Sequence, residues 1–200
     1  MPLKYIWQPD RNFRAARSRN LGIVKASGDW LIFVDGDCLL PSNFVSNHLY
    51  LAKFGKIVAG GRHLLSDSET KDVLRKISPT ISCFSGWKFS HLNIIRFRDL
   101  DPFNWKSVRT CNVALSRLDV LSVGGFDERY IGWGLEDSDF IVRLLKKGLR
   151  VRSARLSACV SHLHHTSLTR DGISVNTEYF LSVLSNPDEI VSQRSVLSQI

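Results

Sequence analysis

The sequence predicts a domain of the α/β class, and three observations lead to this prediction. Its 200 residues, 44% hydrophobic and 23% charged, are enough for one domain with a single buried core. Apolar runs of strand length alternate along the chain with segments of helical periodicity. One of these runs, Trp30–Val34, stops abruptly at the acidic turn Asp35-Gly-Asp37, and ligands gather beyond such strand ends in open α/β sheets.

The first predicted element is a helix over residues 12–27. Its inward stripe at helical spacing consists of Phe13, Ala16, Asn20, Ile23 and Val24. Because Asn20 lies on this otherwise apolar stripe, its amide is expected to meet a specific partner rather than water. The helix also carries Arg14, Arg17 and Arg19, which form either a solvated basic face or, through Arg17, a contact with a diphosphate.

Strands and helices alternate in the segment that follows. The continuous apolar run Trp30–Val34 predicts a central parallel strand covered on both faces. A helix is predicted over 41–53, and a short strand over 56–59 that ends at the glycine pair 60–61. Residues 66–105 mix charges with scattered aromatic side chains and show no clean period. Loops and short helices that cover a substrate cleft are therefore expected there.

The second half of the chain continues the alternation. Strands are predicted at 108–115, 150–152 and 158–163, and helices at 117–123, 137–147 and 175–184. The helix over 137–147 is amphipathic, and its inward residues are Phe140, Ile141, Leu144 and Leu145. The serine-rich end is expected to be frayed. We predict one domain over residues 1–170 and a C-terminal helical tail over 171–200.

The turn Asp35-Gly-Asp37 is the first chemical signal in the sequence. Two carboxylates one residue apart can both turn toward one hard cation, and Mn²⁺ or Mg²⁺ that bridges two phosphate oxygens is the natural use. An acidic turn that caps the next helix is one alternative. An aspartyl-phosphate phosphatase is another, although that pattern usually continues to a Thr where this sequence has Leu39.

The segment Gly132-Trp-Gly-Leu-Glu-Asp137 opens the amphipathic helix and is the second signal. Glycines let a backbone approach a ligand closely, and an exposed Trp133 offers a stacking face for a sugar ring. A carboxylate at this position could act as general base on an acceptor hydroxyl. The alternative is that the acidic residues only stabilise the start of the helix.

The cluster His162-Leu-His-His165 ends a predicted strand and is the third signal. A neutral imidazole is a good ligand for manganese alongside carboxylates. A single histidine is more often a surface or core residue than a metal ligand. With three histidines within four positions, a metal-binding role and a purely structural role are equally favoured.

Charge and cysteine usage limit the partners and the compartment. The net charge of +8 favours an anionic partner, such as a nucleotide diphosphate or an anionic membrane surface, or reflects a generally basic surface. The sequence has no RNA-binding signature or zinc finger, so nucleic acid is not expected. The four cysteines lack CxxC spacing, which favours reduced thiols. We predict a cytoplasmic location. Peripheral association with the inner face of the membrane is an alternative compatible with the positive charge.

Four segments in the right order resemble family-two glycosyltransferases and their galactosyltransferase-like relatives. The segments are Phe13-Arg-Ala-Ala-Arg-Ser-Arg-Asn-Leu-Gly22 with Gly28-Asp-Trp-Leu-Ile-Phe-Val-Asp-Gly-Asp37, Thr110-Cys-Asn-Val-Ala-Leu115 with Gly124-Gly-Phe-Asp-Glu128, Gly132-Trp-Gly-Leu-Glu-Asp137, and His162-Leu-His-His165. The match covers about residues 5–170. It implies the GT-A fold, a Rossmann-like fold of nucleotide-diphospho-sugar transferases.

The resemblance also implies a mechanism. Asp35 and Asp37, helped by His162 or His165, would hold Mn²⁺ (or Mg²⁺) on the diphosphate of a UDP-sugar. Asp137 would remove the proton from a saccharide hydroxyl, which attacks with inversion. The residues expected to bind donor or acceptor are Arg14, Arg17, Asn20, Asp35, Asn112, Trp133, Gly134 and Glu136.

Two departures from the family pattern are visible. Such proteins usually begin with a strand and helix that carry the nucleotide-base site, and we expect this chain to lack them. An open edge on Trp30–Val34 would then favour self-association. Ser138 follows Glu136 and Asp137 at a position where some relatives have an acidic residue, and this difference leaves the identity of the acceptor open. A catalytically silent binding domain and a metal-dependent phosphohydrolase stay as alternatives.

Overall fold

The structure of the protein is a computed structural model that describes residues 3–76, 101–166 and 173–199. Part of the segment predicted to cover a cleft, with Phe84, Trp87, Phe89 and Phe97, lies outside these residues. In the described ranges, no helix has the length and apolar character needed to cross a membrane.

The helices and strands alternate as predicted for the α/β class. The helices are α1 (Ala15–Lys25), α2 (Phe44–Leu51), α3 (Asp67–Lys76), α4 (Arg117–Ser122), α5 (Glu136–Lys146) and α6 (Ile173–Ser185). The strands are β1 (Trp30–Val34), β2 (Cys38–Leu39), β3 (Lys56–Leu64), β4 (Asn112–Ser116) and β5 (Arg150–His162). Short 3₁₀ turns occupy Trp105–Ser107 and Val196–Gln199.

The strands form a mixed sheet. Within the described residues it has five strands in the order β1-β4-β3-β5-β2. Strands β3 and β5 are parallel, whereas β4 runs antiparallel to β3 and β2 antiparallel to β5. The sheet thus combines a parallel pair with antiparallel neighbours, which is common in large α/β sheets.

Two compact units make up the chain. The first, called the helical unit here, is drawn from Met1–Leu31, Ser116–Leu149 and Leu168–Ile200. The second, the sheet unit, is drawn from Ile32–Leu115 and Arg150–Ser167 and holds most of the sheet. The predicted boundary at residue 170 stays a prediction.

The position predicted for the first strand is wrong. Strand β1 has the predicted bounds, but it lies at one end of the described sheet, beside β4, rather than in its centre. Leu31 is buried and the other four residues of β1 are half-buried. An apolar run of this length is compatible with more than one position in a sheet, because it shows how apolar a strand is and not which strands flank it.

Strand β3 does not end at its glycine pair. It continues to Leu64, and its register against β5 passes from Gly60 opposite Ala154 to Gly61 opposite Cys159. A side chain at Gly60 would collide with the amide of Asn112. The glycines therefore allow close approach within the sheet, and the two predicted strands at 150–152 and 158–163 are the halves of the single strand β5.

The C-terminal segment is packed rather than frayed. In the helical unit, Ser192 N donates to the carbonyl of Val123 at 3.0 Å, and Gln193 N donates to Oδ2 of Asp127 at 2.8 Å. Leu197 is 9% exposed. Backbone hydrogen bonds to a buried neighbour hold this end, so its serine-rich composition did not predict its structure.

Candidate functional site

The first candidate site, the metal group, consists of Asp37, His162 and His165 in the sheet unit. Their ligand atoms all lie within 4.8 Å of one another. Nε2 of His162 is 3.3 Å from Oδ1 of Asp37, and Nε2 of His165 is 3.3 Å from Oδ2. Cys38 of β2 is paired with His162 of β5, and Leu163 N donates to the carbonyl of Asp37 at 2.9 Å. The strand register therefore positions the carboxylate against the imidazoles.

The hydrogen bonds of the two imidazoles are suited to a cation in the metal group. Nδ1 of His162 is 3.0 Å from the carbonyl oxygen of Leu163, and Nδ1 of His165 is 3.0 Å from that of Thr166. A carbonyl oxygen only accepts, so each Nδ1 carries the proton and each Nε2 of a neutral ring presents a lone pair to Asp37. A proton on each ring or one divalent cation relieves this repulsion, and the cation satisfies all three side chains at once.

One carboxylate oxygen supports the same interpretation. Oδ1 of Asp37 is buried and has no hydrogen-bond donor among the described residues. A buried, unsatisfied carboxylate oxygen is costly unless a cation or a donor compensates it. Carboxylate and imidazole are a donor set that Mn²⁺ accepts, so the residues of the metal group fit such an ion.

Asp35 and His164 are not part of the metal group. Asp35 is half-buried in the turn after β1, where its carbonyl accepts from Cys38 N at 3.2 Å. Nδ1 of His164 is instead 4.0 Å from Oδ1 of Asp67. The sequence left His162 and His165 as alternative ligands, whereas the structure brings both to Asp37 and does not bring Asp35 there.

The second candidate site, the acid pair, consists of Glu136 and Asp137 in the first turn of α5, in the helical unit. Nη1 of Arg19 donates to Oε1 of Glu136 and to Oδ1 of Asp137, at 3.1 Å each. The sequence motifs did not indicate a site role for Arg19. Its spacing from Ala16 (three residues) and Ile23 (four residues) places it near the inward stripe of α1 and could have indicated a partner.

Burial changes the acidity of the acid pair. Glu136 is 8% exposed, and desolvation, with the charge of Asp137 as the second cause, raises its pKa to about 7, against the lowering effect of Arg19. A carboxyl that titrates near neutral pH can exchange a proton with a hydroxyl. Glu136, predicted only to position an acceptor, therefore has an acidity suited to general-base work.

The backbone before the acid pair has an unusual conformation. Gly132 and Gly134 have φ of +81° and +100°, and Leu135 has φ of +73° at the start of α5. A left-handed leucine costs roughly 1–3 kcal/mol and needs support from its surroundings. Nδ2 of Asn176 donates to the carbonyl of Gly134 at 3.1 Å. Trp133, held in this loop, is exposed as a stacking role requires.

Asn20 has the specific partners that its place on the stripe predicted. It is fully buried; Nδ2 donates to the carbonyl of Phe126 at 2.8 Å, to Glu128 at 2.9 Å and to Ser195 at 3.1 Å. Oδ1 accepts from Phe126 N at 2.9 Å. These bonds tie α1 to neighbouring segments of the helical unit, and contact between Asn20 and a substrate stays a prediction.

Asn112 is likewise engaged inside its unit. It is 2% exposed; Oδ1 is 2.7 Å from Nε2 of His48, and Nδ2 donates to the carbonyls of Gly61 and Ala158 at 2.7 and 2.9 Å. The amide thus bridges both sides of the irregularity between β3 and β5. Its predicted contact with substrate stays a prediction.

The two remaining predicted residues, Arg14 and Arg17, lie at the start of α1. Nη1 of Arg17 donates to Oε2 of Glu128 at 3.0 Å, and Nη2 of Arg14 donates to the carbonyl of Pro9 at 3.3 Å. Both arginines line a cavity of the helical unit. Their predicted contact with a diphosphate stays a prediction.

The fold is that of the GT-A nucleotide-diphospho-sugar transferases, as the matches to a family and to a solved structure show. The chain belongs to glycosyl transferase family 2, whose profile matches residues 1–119. A second profile, for the N-terminal domain of galactosyltransferase, matches residues 97–166. Both matches confirm the resemblance inferred from the motifs.

Curated relatives are longer than this chain. Validoxylamine A glucosyltransferase of Streptomyces hygroscopicus subsp. jinggangensis (strain 5008) is 29% identical over 174 residues, which cover 78% of this chain and 40% of the relative. Chondroitin synthase of Escherichia coli is 25% identical over 172 residues, which cover 76% of this chain and 25% of the relative. The chain thus spans less than half of the length of either protein.

A solved structure has the same fold. The crystal structure of GalNAc-T7 with UDP, GalNAc and Mn²⁺ covers 90% of this chain and 37% of its own, with a TM-score of 0.56. The sequence identity is 12%. The likeness therefore concerns the fold, and the GT-A prediction is confirmed at that level.

Proposed function

We propose that the chain transfers a sugar from a nucleotide-diphosphate sugar, most simply a UDP-sugar, to a hydroxyl of a saccharide acceptor with inversion, and that a divalent cation is required. The observation that carries this proposal is the metal group, in which both Nε2 lone pairs face the carboxylate of Asp37. GalNAc-T7, which shares the fold, was crystallised with UDP and Mn²⁺.

Asp37, His162 and His165 would hold the cation on the donor side. When bound there, the ion would offset negative charge that builds on the leaving diphosphate. The carboxylates of the acid pair act on the acceptor side: Asp137 takes the proton of the attacking hydroxyl, and Glu136 and Trp133 orient the acceptor sugar. Arg19 holds both carboxylates in place through Nη1. The cytoplasmic location, the contact with an anionic membrane and the self-association stay predictions from the sequence.

Calorimetric titration of UDP, with and without Mn²⁺, tests the donor side. We expect binding that needs Mn²⁺, is abolished by chelator and is lost in Asp37→Ala. Asp72→Ala removes the same charge from an exposed position on α3 and is expected to bind as the wild type does. Equal UDP affinity in chelator would contradict the metal role. Binding without nucleotide-sugar turnover would favour a silent binding domain, and phosphate release from a simple monoester would favour a phosphohydrolase.

A further inference from the structure

Aromatic and basic side chains share one surface of the sheet unit, at the end where the parallel strands β3 and β5 begin. Lys56 and Arg150, the first residues of these strands, are paired in register. The turn before β3 brings Phe54 to the same end, and the carbonyl of Gly55 accepts from Arg150 N at 3.0 Å. The guanidinium of Arg150 lies 4.3 Å from the ring centroid of Phe103. We call this surface the aromatic–basic face; its members are Lys53, Phe54, Lys56, Phe103 and Arg150.

The aromatic side chains of this face are directed to solvent rather than to the core. Phe54 is 64% exposed and Phe103 is 59% exposed. A phenylalanine ring has no polar atom that water can satisfy, so burial of both rings against another surface is favourable. Exposed apolar groups that lie together among polar residues are typical of an interaction surface.

The aromatic–basic face also carries positive charge. Lys53 is exposed, and Lys56 and Arg150 are half-buried. Asp101, two residues before Phe103, brings one negative charge close to the face in sequence. Three cations against this one carboxylate leave the face positive, in keeping with the net charge of +8. A partner that carries negative charge is therefore favoured.

Charge and apolar character together favour a lipid surface over a nucleic acid. Lysine and arginine near exposed phenylalanine are typical of proteins that bind at the interface of an anionic membrane. The outer side of α2, which leads into the turn before β3, also exposes Val45 and Leu49. Aliphatic side chains gain from contact with acyl chains, whereas binding of single-stranded nucleic acid depends on aromatic rings that stack on bases.

We propose that the aromatic–basic face binds the surface of a bilayer that contains anionic phospholipids. Phe54 and Phe103 enter the headgroup region, while the cations of the face contact lipid phosphates. The metal group lies at the opposite end of β3 and β5, where Leu64 is paired with His162, so contact with the bilayer does not involve that site. The inference concerns where the chain is held and does not depend on the reaction that it catalyses.

Co-sedimentation of the full chain with sucrose-loaded vesicles tests this proposal. One set of vesicles is pure phosphatidylcholine, and the other contains phosphatidylglycerol as well. We expect binding to the anionic vesicles only, and its loss at high salt. Lys53→Gln should weaken the binding by about fivefold, which is the contribution of one lysine near an anionic surface. Phe54→Ser should weaken it by at least about tenfold, because the ring no longer enters the bilayer. No binding, or equal binding to both sets of vesicles, would overturn the proposal.

Matched control variants lie on α3, which follows the opposite end of β3. Arg75→Gln removes an exposed positive charge and Leu74→Ser an exposed apolar side chain, and both should bind vesicles as the wild type does. An equal loss in these controls would mean that the charge of the whole chain, and not this face, drives binding. If Lys53→Gln and Phe54→Ser leave vesicle binding unchanged but convert a dimer into a monomer by light scattering, the face joins two copies of the chain instead. Tighter binding of a single-stranded polynucleotide than of anionic vesicles, weakened by the same two variants, would assign the face to nucleic acid and contradict the proposal.

Discussion

Nε2 of His162 lies 3.3 Å from Oδ1 of Asp37, while Nδ1 of the same ring lies 3.0 Å from a carbonyl oxygen. A neutral imidazole in this position has no proton to offer the carboxylate. A divalent cation bound by both side chains would supply positive charge between them.

Loss of either imidazole of the metal group should weaken Mn²⁺ binding. We expect His162→Ala and His165→Ala each to reduce the affinity by at least about tenfold, since even outer partners of a metal site contribute that much. His164→Ala is the matched control, because His164 lies between them in sequence but outside the group. Free Mn²⁺ counted by electron paramagnetic resonance gives the affinities. An equal loss in His164→Ala would exclude the proposed ligand set.

Turnover should depend on the carboxylate of Asp137. Asp137→Asn keeps the shape of the side chain but removes its basic lone pair, so transfer should fall by about 10²–10⁴ while UDP binding persists. Initial rates over a range of pH measure the effect, with Glu136→Gln in parallel. If Glu136→Gln abolishes transfer and Asp137→Asn does not, the base is Glu136, whose pKa of about 7 suits that role.

Glu136 should make the fold less stable as pH rises. Its folded pKa of about 7 lies above the value of 4.5 for the unfolded chain. Between these values the unfolded state has released the proton and the folded state has kept it, so the free energy of unfolding falls with rising pH. The fall amounts to about 3 kcal/mol and is complete above pH 7.

Urea denaturation at several values between pH 4.5 and pH 8 measures this effect. Glu136→Gln cannot titrate at this position, so its stability should fall less over the range than that of the wild type. Other carboxyl and histidine groups affect the stability curves of the wild type and the variant equally. They therefore cancel in the difference between the two curves. Parallel curves would show that Glu136 has an ordinary acidity in the folded protein.

Removal of the Asn20 amide should destabilise the helical unit. Asn20→Ala leaves Phe126 N and its carbonyl without these partners, and we expect a loss of about 2–4 kcal/mol in the free energy of unfolding. Ser18→Ala changes an exposed position of the same helix and should shift stability by less than about 0.5 kcal/mol. A loss no greater than that of Ser18→Ala would mean that the buried bonds of Asn20 are replaced by water.

Local pattern was sufficient to predict much of the fold. The bounds of β1 and the helical periodicity of α5 and α6 depend on residues that are close in sequence. All three elements lie within two residues of their predicted positions. Gly60 and Gly61 were misread as a strand end, because glycine pairs are common turn signals. Gly60 instead leaves room for the amide of Asn112, which is distant in sequence, so local pattern could not show this contact.

Buried polar contacts were the part that periodicity could not predict. Arg143 is 1% exposed on α5, where Nη2 donates to Oδ2 of Asp139 at 2.7 Å and Nη1 donates to the carbonyl of Val123. A helical wheel places charged residues toward solvent, and only tertiary contacts show that a pair is buried. In the same way, the sequence did not predict the hydrogen bond between Arg19 and the acid pair, because that bond is a tertiary contact.

The two histidines of the metal group differ in how firmly they are held. His162 is 7% exposed and paired to both β2 and β3, whereas His165 follows the end of β5 and its side chain is 54% exposed. Segments outside a sheet open at lower free-energy cost than strands within it. If the metal group binds a cation, His162 would be the fixed ligand and His165 the ligand able to detach and return. The exchange rate of a bound ion would then be set by movement of His165, without any opening of the sheet.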